Sequence, residues 1–91
     1  MIRKDDLTIE PLLEEGDSLL YVKNLSGEFI SINVKMTDTI KQVKLRIKAV
    51  RNTPVEYQTL IFGGRRMEDS HTLEDYAVQR ESTLNLIEKR R

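Results

Sequence analysis

From Ser18 onward the chain alternates between apolar and polar positions. Leu20 and Val22 recur in the run LLYVKNL, and Ile30, Ile32 and Val34 recur in EFISINV, with Ser31 and Asn33 between them. A period of two marks strands with one covered face, and the intervening Ser-Gly-Glu places Gly27 where a short bulged hairpin turn needs positive φ. The period then changes. In TDTIKQVKLRIKAV, Ile40, Val43 and Ile47 fall at i, i+3 and i+7, a stripe that can lie on the hairpin's apolar face. Thr39 and Gln42 have the spacing of a capping box at the start of this helix, and Asn52 and Pro54 end it.

The segment QTLIFGGRRMED reads as a short strand, a glycine turn and a second short extended piece. Thr72 followed by Leu73, Glu74 and Asp75 forms a second capping box that opens about one helical turn. A final strand runs over Thr83 to Ile87, where Leu84 and Leu86 face one way and Asn85 and Ile87 the other. The order ββαβ, short helix, β describes an α+β roll, a sheet with one main crossing helix. Its expected core is Leu20, Val22, Ile30, Ile32, Val34, Ile40, Val43, Ile47, Leu60, Met67, Leu73, Val78, Leu84 and Leu86.

Residues 1 to 17 lack either period. They carry six acids, one proline and one glycine, the pattern of an arm or linker, although Ile9, Leu12 and Leu13 leave it able to dock. Residues 18 to 91 then form one domain, since 91 residues suffice for one modest core.

Composition narrows the chemistry. No cysteine is present, which removes disulfides, thiolate nucleophiles and sulfur-ligated zinc, and His71 is the single histidine. Fifteen basic residues balance fifteen acids, so no overall field draws nucleic acid or anionic lipid. There is no run near the roughly 20 apolar residues of a membrane span and no secretory-type leader in MIRKDDLTIE. The expectation is an intracellular, cytoplasmic or nuclear, monomeric domain with no cofactor, no metal, no nucleic-acid partner and no membrane partner.

The stretches YVKNLSGEFISINV, TDTIKQVKLRI and LIFGGRRMEDSHTLEDYAVQRESTLNLI closely resemble the ubiquitin superfamily from about Ser18 to the end. LIF.G, LEDY and ESTL.L are the most specific parts of the match. The resemblance implies the β-grasp fold, with a mixed sheet and a short 3-10 turn. It also implies a partner-binding patch on the sheet's open face at Leu25, Ile61 and Ile87, with Asn85 where ubiquitin has histidine, flanked by Gly64, Arg65 and Lys89. Strand alternation independently turns Ile61 and Ile87 away from Leu60 and Leu86. Asn85 does not titrate near neutral pH and offers a different donor geometry from histidine. The resemblance further implies a buried pair of Lys44 with Asp69, where Lys44 by itself would read as a lysine snorkelling at the core's edge.

Leu19, Tyr21 and Phe29 fall on the outer face of the first hairpin, where polar residues are more usual. They read either as cross-strand packing or as a second contact surface. At the chain's end the sequence reads Glu88, Lys89, Arg90, Arg91, without the Gly-Gly that conjugation of a family modifier requires. Glu88 and Arg90 replace apolar tail residues, and Thr53 replaces an isoleucine of a neighbouring patch. Glu28, Arg65 and Arg80 stand at the family's most familiar chain-linkage lysines, although Lys23 and Lys44 remain.

These features favour a non-conjugated, non-catalytic docking domain of a larger protein, recognised by helical ubiquitin-binding motifs, the proteasome or ubiquitin-pathway components. Four alternatives stand beside it. The first is a modifier whose Gly-Gly follows Arg91. The second is a β-grasp domain that binds a small GTPase through its edge strand, with Lys23 and Lys35 as its bases. The third is nucleic-acid or lipid binding through Arg65, Arg66, Lys89, Arg90 and Arg91, without any aromatic stacking platform beside them. The last is an enzyme using Ser70, His71 and Asp69 or Asp75, whose adjacency on a turn prevents the side chains from converging.

Overall fold

A computed structural model describes residues 18–89. The expected arm, residues 1–17, and the terminal Arg90 and Arg91 lie outside the described residues. The hairpin consists of β1, Ser18–Asn24, and β2, Phe29–Val34, paired antiparallel. Helix α1, Ile40–Arg51, follows, and then a 3-10 turn at Val55–Tyr57, strands β3, Gln58–Phe62, and β4, Arg65–Arg66, a 3-10 turn at Glu74–Tyr76, and β5, Thr83–Glu88. The sheet order is β2-β1-β5-β3-β4, with β1 and β5 parallel and every other pair antiparallel. This is the expected mixed sheet and single crossing helix, the β-grasp arrangement.

Local signals act where the sequence puts them. The Thr39 hydroxyl accepts the Gln42 amide at 3.2 Å while the Gln42 carboxamide accepts the Thr39 amide at 2.8 Å, closing the capping box. Asn52 adopts a left-handed conformation at φ 64°, and its amide donates to the Lys48 carbonyl, stopping the helix. Gly27 takes φ 86° in the hairpin turn, where a side chain would be strained. Thr72 and Asp75 exchange side-chain to backbone hydrogen bonds of 2.9 and 3.2 Å at the second 3-10 turn. The first 3-10 turn, after Pro54, is an addition to the sequence expectation.

The core is the expected set with two changes. Tyr76 joins it, with its hydroxyl accepting the Glu68 amide at 2.7 Å, so the ring is enclosed while its polar end is satisfied. Ile30 is half-buried against the core, because it sits near the turn end of the edge strand. Leu20, Ile40, Ile47, Leu60, Leu73 and Leu84 are fully enclosed. Each such side chain contributes roughly 1.5–3 kcal/mol by leaving water. Lys44 is buried, and its ammonium meets Asp69 Oδ1 at 2.6 Å, while the Asp69 side chain stays 49% exposed. The pair is therefore buried on the lysine side alone. Among the described residues no helix is long and apolar enough to cross a membrane.

Candidate protein-docking face

The sheet's outer face is organised by its registers. Lys23 lies beside Phe29 on one side and Asn85 on the other, Asn85 lies beside Ile61, and Ile61 beside Arg66. One row, Phe29, Lys23, Asn85, Ile61, Arg66, thus crosses all five strands on the face opposite α1. It carries two cations and no acid. Two residues further along β3 and β5, Thr59 lies beside Ile87. Ile61 and Ile87 are half-buried, while Leu25, in the hairpin turn one residue past the Asn24 and Leu86 pair, is 81% exposed.

The structure therefore gathers Ile61, Asn85 and Ile87 on one face, with Leu25 at the same end of the sheet as Ile87. The flanking residues separate. Gly64, at φ 77° in the β3–β4 turn, and Arg65 lie at one end of β3. Lys89 lies at the other end, with its amide bonded to the Tyr57 carbonyl at 2.8 Å. Arg65 pairs with Phe62 rather than with Ile61, and its guanidinium lies 5.4 Å from the centre of the Tyr76 ring, a cation–π contact. Arg66 is the arginine in the row with Ile61. Sequence reasoning did not single out Arg66 or Lys23 for this face, and only the strand registers reveal them.

The second surface has a different internal arrangement from simple cross-strand apolar packing. Leu19 faces Asn33, Tyr21 faces Ser31, and Phe29 faces Lys23, whose ammonium lies 5.7 Å from the ring centre. Phe29 remains 58% exposed, whereas Leu19 and Tyr21 are half-buried. The His71 Nδ1 lies 3.9 Å from Asp75 and its ring 5.8 Å from Tyr76, both His71 and Asp75 being about half-exposed. The Thr72 amide holds the Asp75 carboxyl below its ordinary value.

At the end of β5, Glu88 is held by a chelate of hydrogen bonds. Arg51 Nε and Nη2 reach its two oxygens at 2.8 and 2.9 Å, and the Thr53 hydroxyl donates at 2.6 Å. Arg51 Nη1 donates at 3.1 Å to Glu28, which also accepts the Asn24 amide group at 3.0 Å. These donors, Asn24 first and then Arg51, lower the Glu28 pKa, and the two carboxylates raise that of Arg51.

A small mixed sheet grasping one helix, in the order β2-β1-β5-β3-β4, defines the β-grasp fold. The chain belongs to the ubiquitin family, whose model matches residues 20–91. It is 36% identical over 69 residues to the ubiquitin-like protein NEDD8 of Dictyostelium discoideum, a match covering 76% of this chain and 90% of that protein. It is 36% identical over 74 residues to phosphatidylinositol 4-kinase gamma 4 of Arabidopsis thaliana, covering 80% of this chain and 13% of the kinase. Ubiquitin-like protein 4A of Anoplopoma fimbria is 33% identical over 69 residues, covering 76% of this chain and 44% of that protein.

Proposed function

We propose that this domain is a non-conjugated, non-catalytic docking module that binds helical segments of ubiquitin-pathway or proteasome proteins inside the cell. Leu25, Ile61 and Ile87 anchor the partner, Asn85 sits among them, and Gly64, Arg65 and Lys89 border the contact. The observation that carries this reading is the aliphatic outer face crossed by a row with cations and no acid. An amphipathic helix with apolar residues on one side and acids at its margins is the complementary ligand. Leu19, Tyr21 and Phe29 form a second contact surface beside it, and residues 1–17 are an N-terminal arm or linker. The matches to short portions of larger proteins support a role as a module within a host.

A modifier is the second reading, favoured by the match to nearly the whole of a NEDD8 chain. A modifier's tail must be drawn out of its fold for activation. Here Glu88, the last residue of β5, is fastened to Arg51 and Thr53, and the next amide to Tyr57, so such a tail would begin only after Lys89.

Titration of the isotope-labelled protein with a helical ubiquitin-interacting-motif peptide tests the proposal. Amide shifts clustered at Leu25, Ile61, Gly64 and Ile87, lost in a folded Ile61→Ala variant, are the expected result. Shifts confined to Tyr21 and Phe29, or none, overturn it. Thioester formation with a NEDD8- or ubiquitin-activating enzyme by the full-length protein would favour the modifier.

A further inference from the structure

Arg51 projects from the last turn of α1 and joins two segments that carry the docking aliphatics. On one side is the turn from Asn24 to Glu28. The Asn24 side chain is buried, and its carbonyl oxygen accepts the Ser26 amide at 3.0 Å and the Glu28 amide at 2.9 Å, while its amide group donates to Glu28 Oε1. The same oxygen accepts from Arg51. Leu25 lies inside this loop of hydrogen bonds, with its side chain outside. On the other side, Glu88 follows Ile87 directly and chelates the Nε–Nη2 edge of the guanidinium with its two oxygens.

We infer that Arg51 is a positioning residue for the docking face, a latch that sets the Leu25 turn and the Ile87 strand end in one geometry through Glu28 and Glu88. The inference rests on the docking reading above for its effect on binding. A planar guanidinium offers donors along three edges and can bridge two carboxylates at once, which a lysine ammonium does with far less directional control. Glu28 and Glu88 also repel each other, since the charge of Glu88 opposes ionisation of Glu28. Without Arg51 the two carboxylates are driven apart as well as unbridged, and the turn carrying Leu25 loses its fixed distance from Ile87. A partner then has to order that turn on binding, which weakens association.

Two measurements test the latch. In the ligand-free domain, Arg51→Ala should raise amide hydrogen exchange at Ser26, Gly27 and Glu28 about tenfold, leaving Ile47 and Leu84 protected. Arg51→Lys should give a smaller rise, and Arg51→Ala combined with Glu28→Gln should recover part of the protection by removing the repulsion. Unchanged exchange in the turn overturns the latch whether or not any peptide binds.

With the ubiquitin-interacting-motif peptide, Arg51→Ala should weaken affinity about 3- to 10-fold in the wild-type background and less than about 2-fold in a Leu25→Ala background, because both changes remove the same contribution. Equal losses in the two backgrounds would show that Arg51 acts elsewhere and overturn its positioning role. If the wild-type domain does not bind at Ile61, the docking reading fails on its own, and the exchange data still decide the latch.

Discussion

Arg51 and Glu88, 37 residues apart, meet through two hydrogen bonds of 2.8 and 2.9 Å, fastening the end of the last strand to the end of the helix. Charge-assisted bidentate pairs of this geometry are the strong members of their class. Both side chains are mostly shielded, at 24% and 18% exposure, so solvent screens the pair only in part.

Glu88→Gln should therefore lower stability by about 1–2 kcal/mol, because the carboxamide sets a donor NH2 against one of the two guanidinium N–H groups and loses the charge. In a domain of this size that corresponds to a fall in Tm of roughly 4–8 °C per kcal/mol. Urea and thermal unfolding of Glu88→Gln beside Thr53→Val measure it, and the smaller loss is expected for Thr53→Val, which removes one neutral donor.

The Glu28 carboxyl should titrate below the ordinary glutamate value of 4.5 in the wild type, chiefly through Asn24 and then Arg51. A folded-state pKa that is depressed adds stability above the unfolded pKa, and that stability disappears as pH falls through the lower, folded value. Carboxyl-detected NMR titration should show the Glu28 midpoint move upward in Arg51→Ala, and acid unfolding of that variant should lose the Arg51 share of its Glu28-dependent portion while the Asn24 share remains.

The Lys44 and Asp69 pair should behave asymmetrically. Asp69→Ala leaves a buried ammonium without its carboxylate, and with Asp69 half in solvent the loss falls to about 1–3 kcal/mol, less than for a fully enclosed pair. Lys44→Met should cost less than Asp69→Ala, since methionine fills the lysine's space and the exposed aspartate returns to water. Denaturant midpoints of the two variants rank them directly.

Asn85→His should make peptide affinity depend on pH between about 5.5 and 7.5, where the wild-type contact is flat, because imidazole titrates near 6.5. Position 85 lies between Lys23 and Ile61, and the lysine charge opposes protonation. The midpoint should accordingly fall below 6.5. Calorimetry across that range checks both the dependence and its direction.

How much of this was readable from residues alone varies with distance along the chain. The alternation in β1, β2 and β5, the Thr39 and Gln42 capping box and the left-handed stop at Asn52 involve partners within a few residues, so a local pattern encodes each of them. The core followed from the same patterns, since a period fixes which side chains share a face. Tyr76 was the omission, though its spacing of three from Leu73 carried the signal.

The proposed docking face divides along the same line. That Ile61 and Ile87 turn outward is set by alternation within their own strands. That Lys23, Asn85, Ile61 and Arg66 form one row depends on β5 lying between β1 and β3 and on the pairing registers, which are decided by burial of the whole sheet under α1. The bridge from Glu28 through Arg51 to Glu88 is of the same kind. Its three charges belong to a turn, a helix end and a strand end, separated by 23 and 37 residues. Only tertiary packing brings them within hydrogen-bonding distance, because no period along the chain relates them.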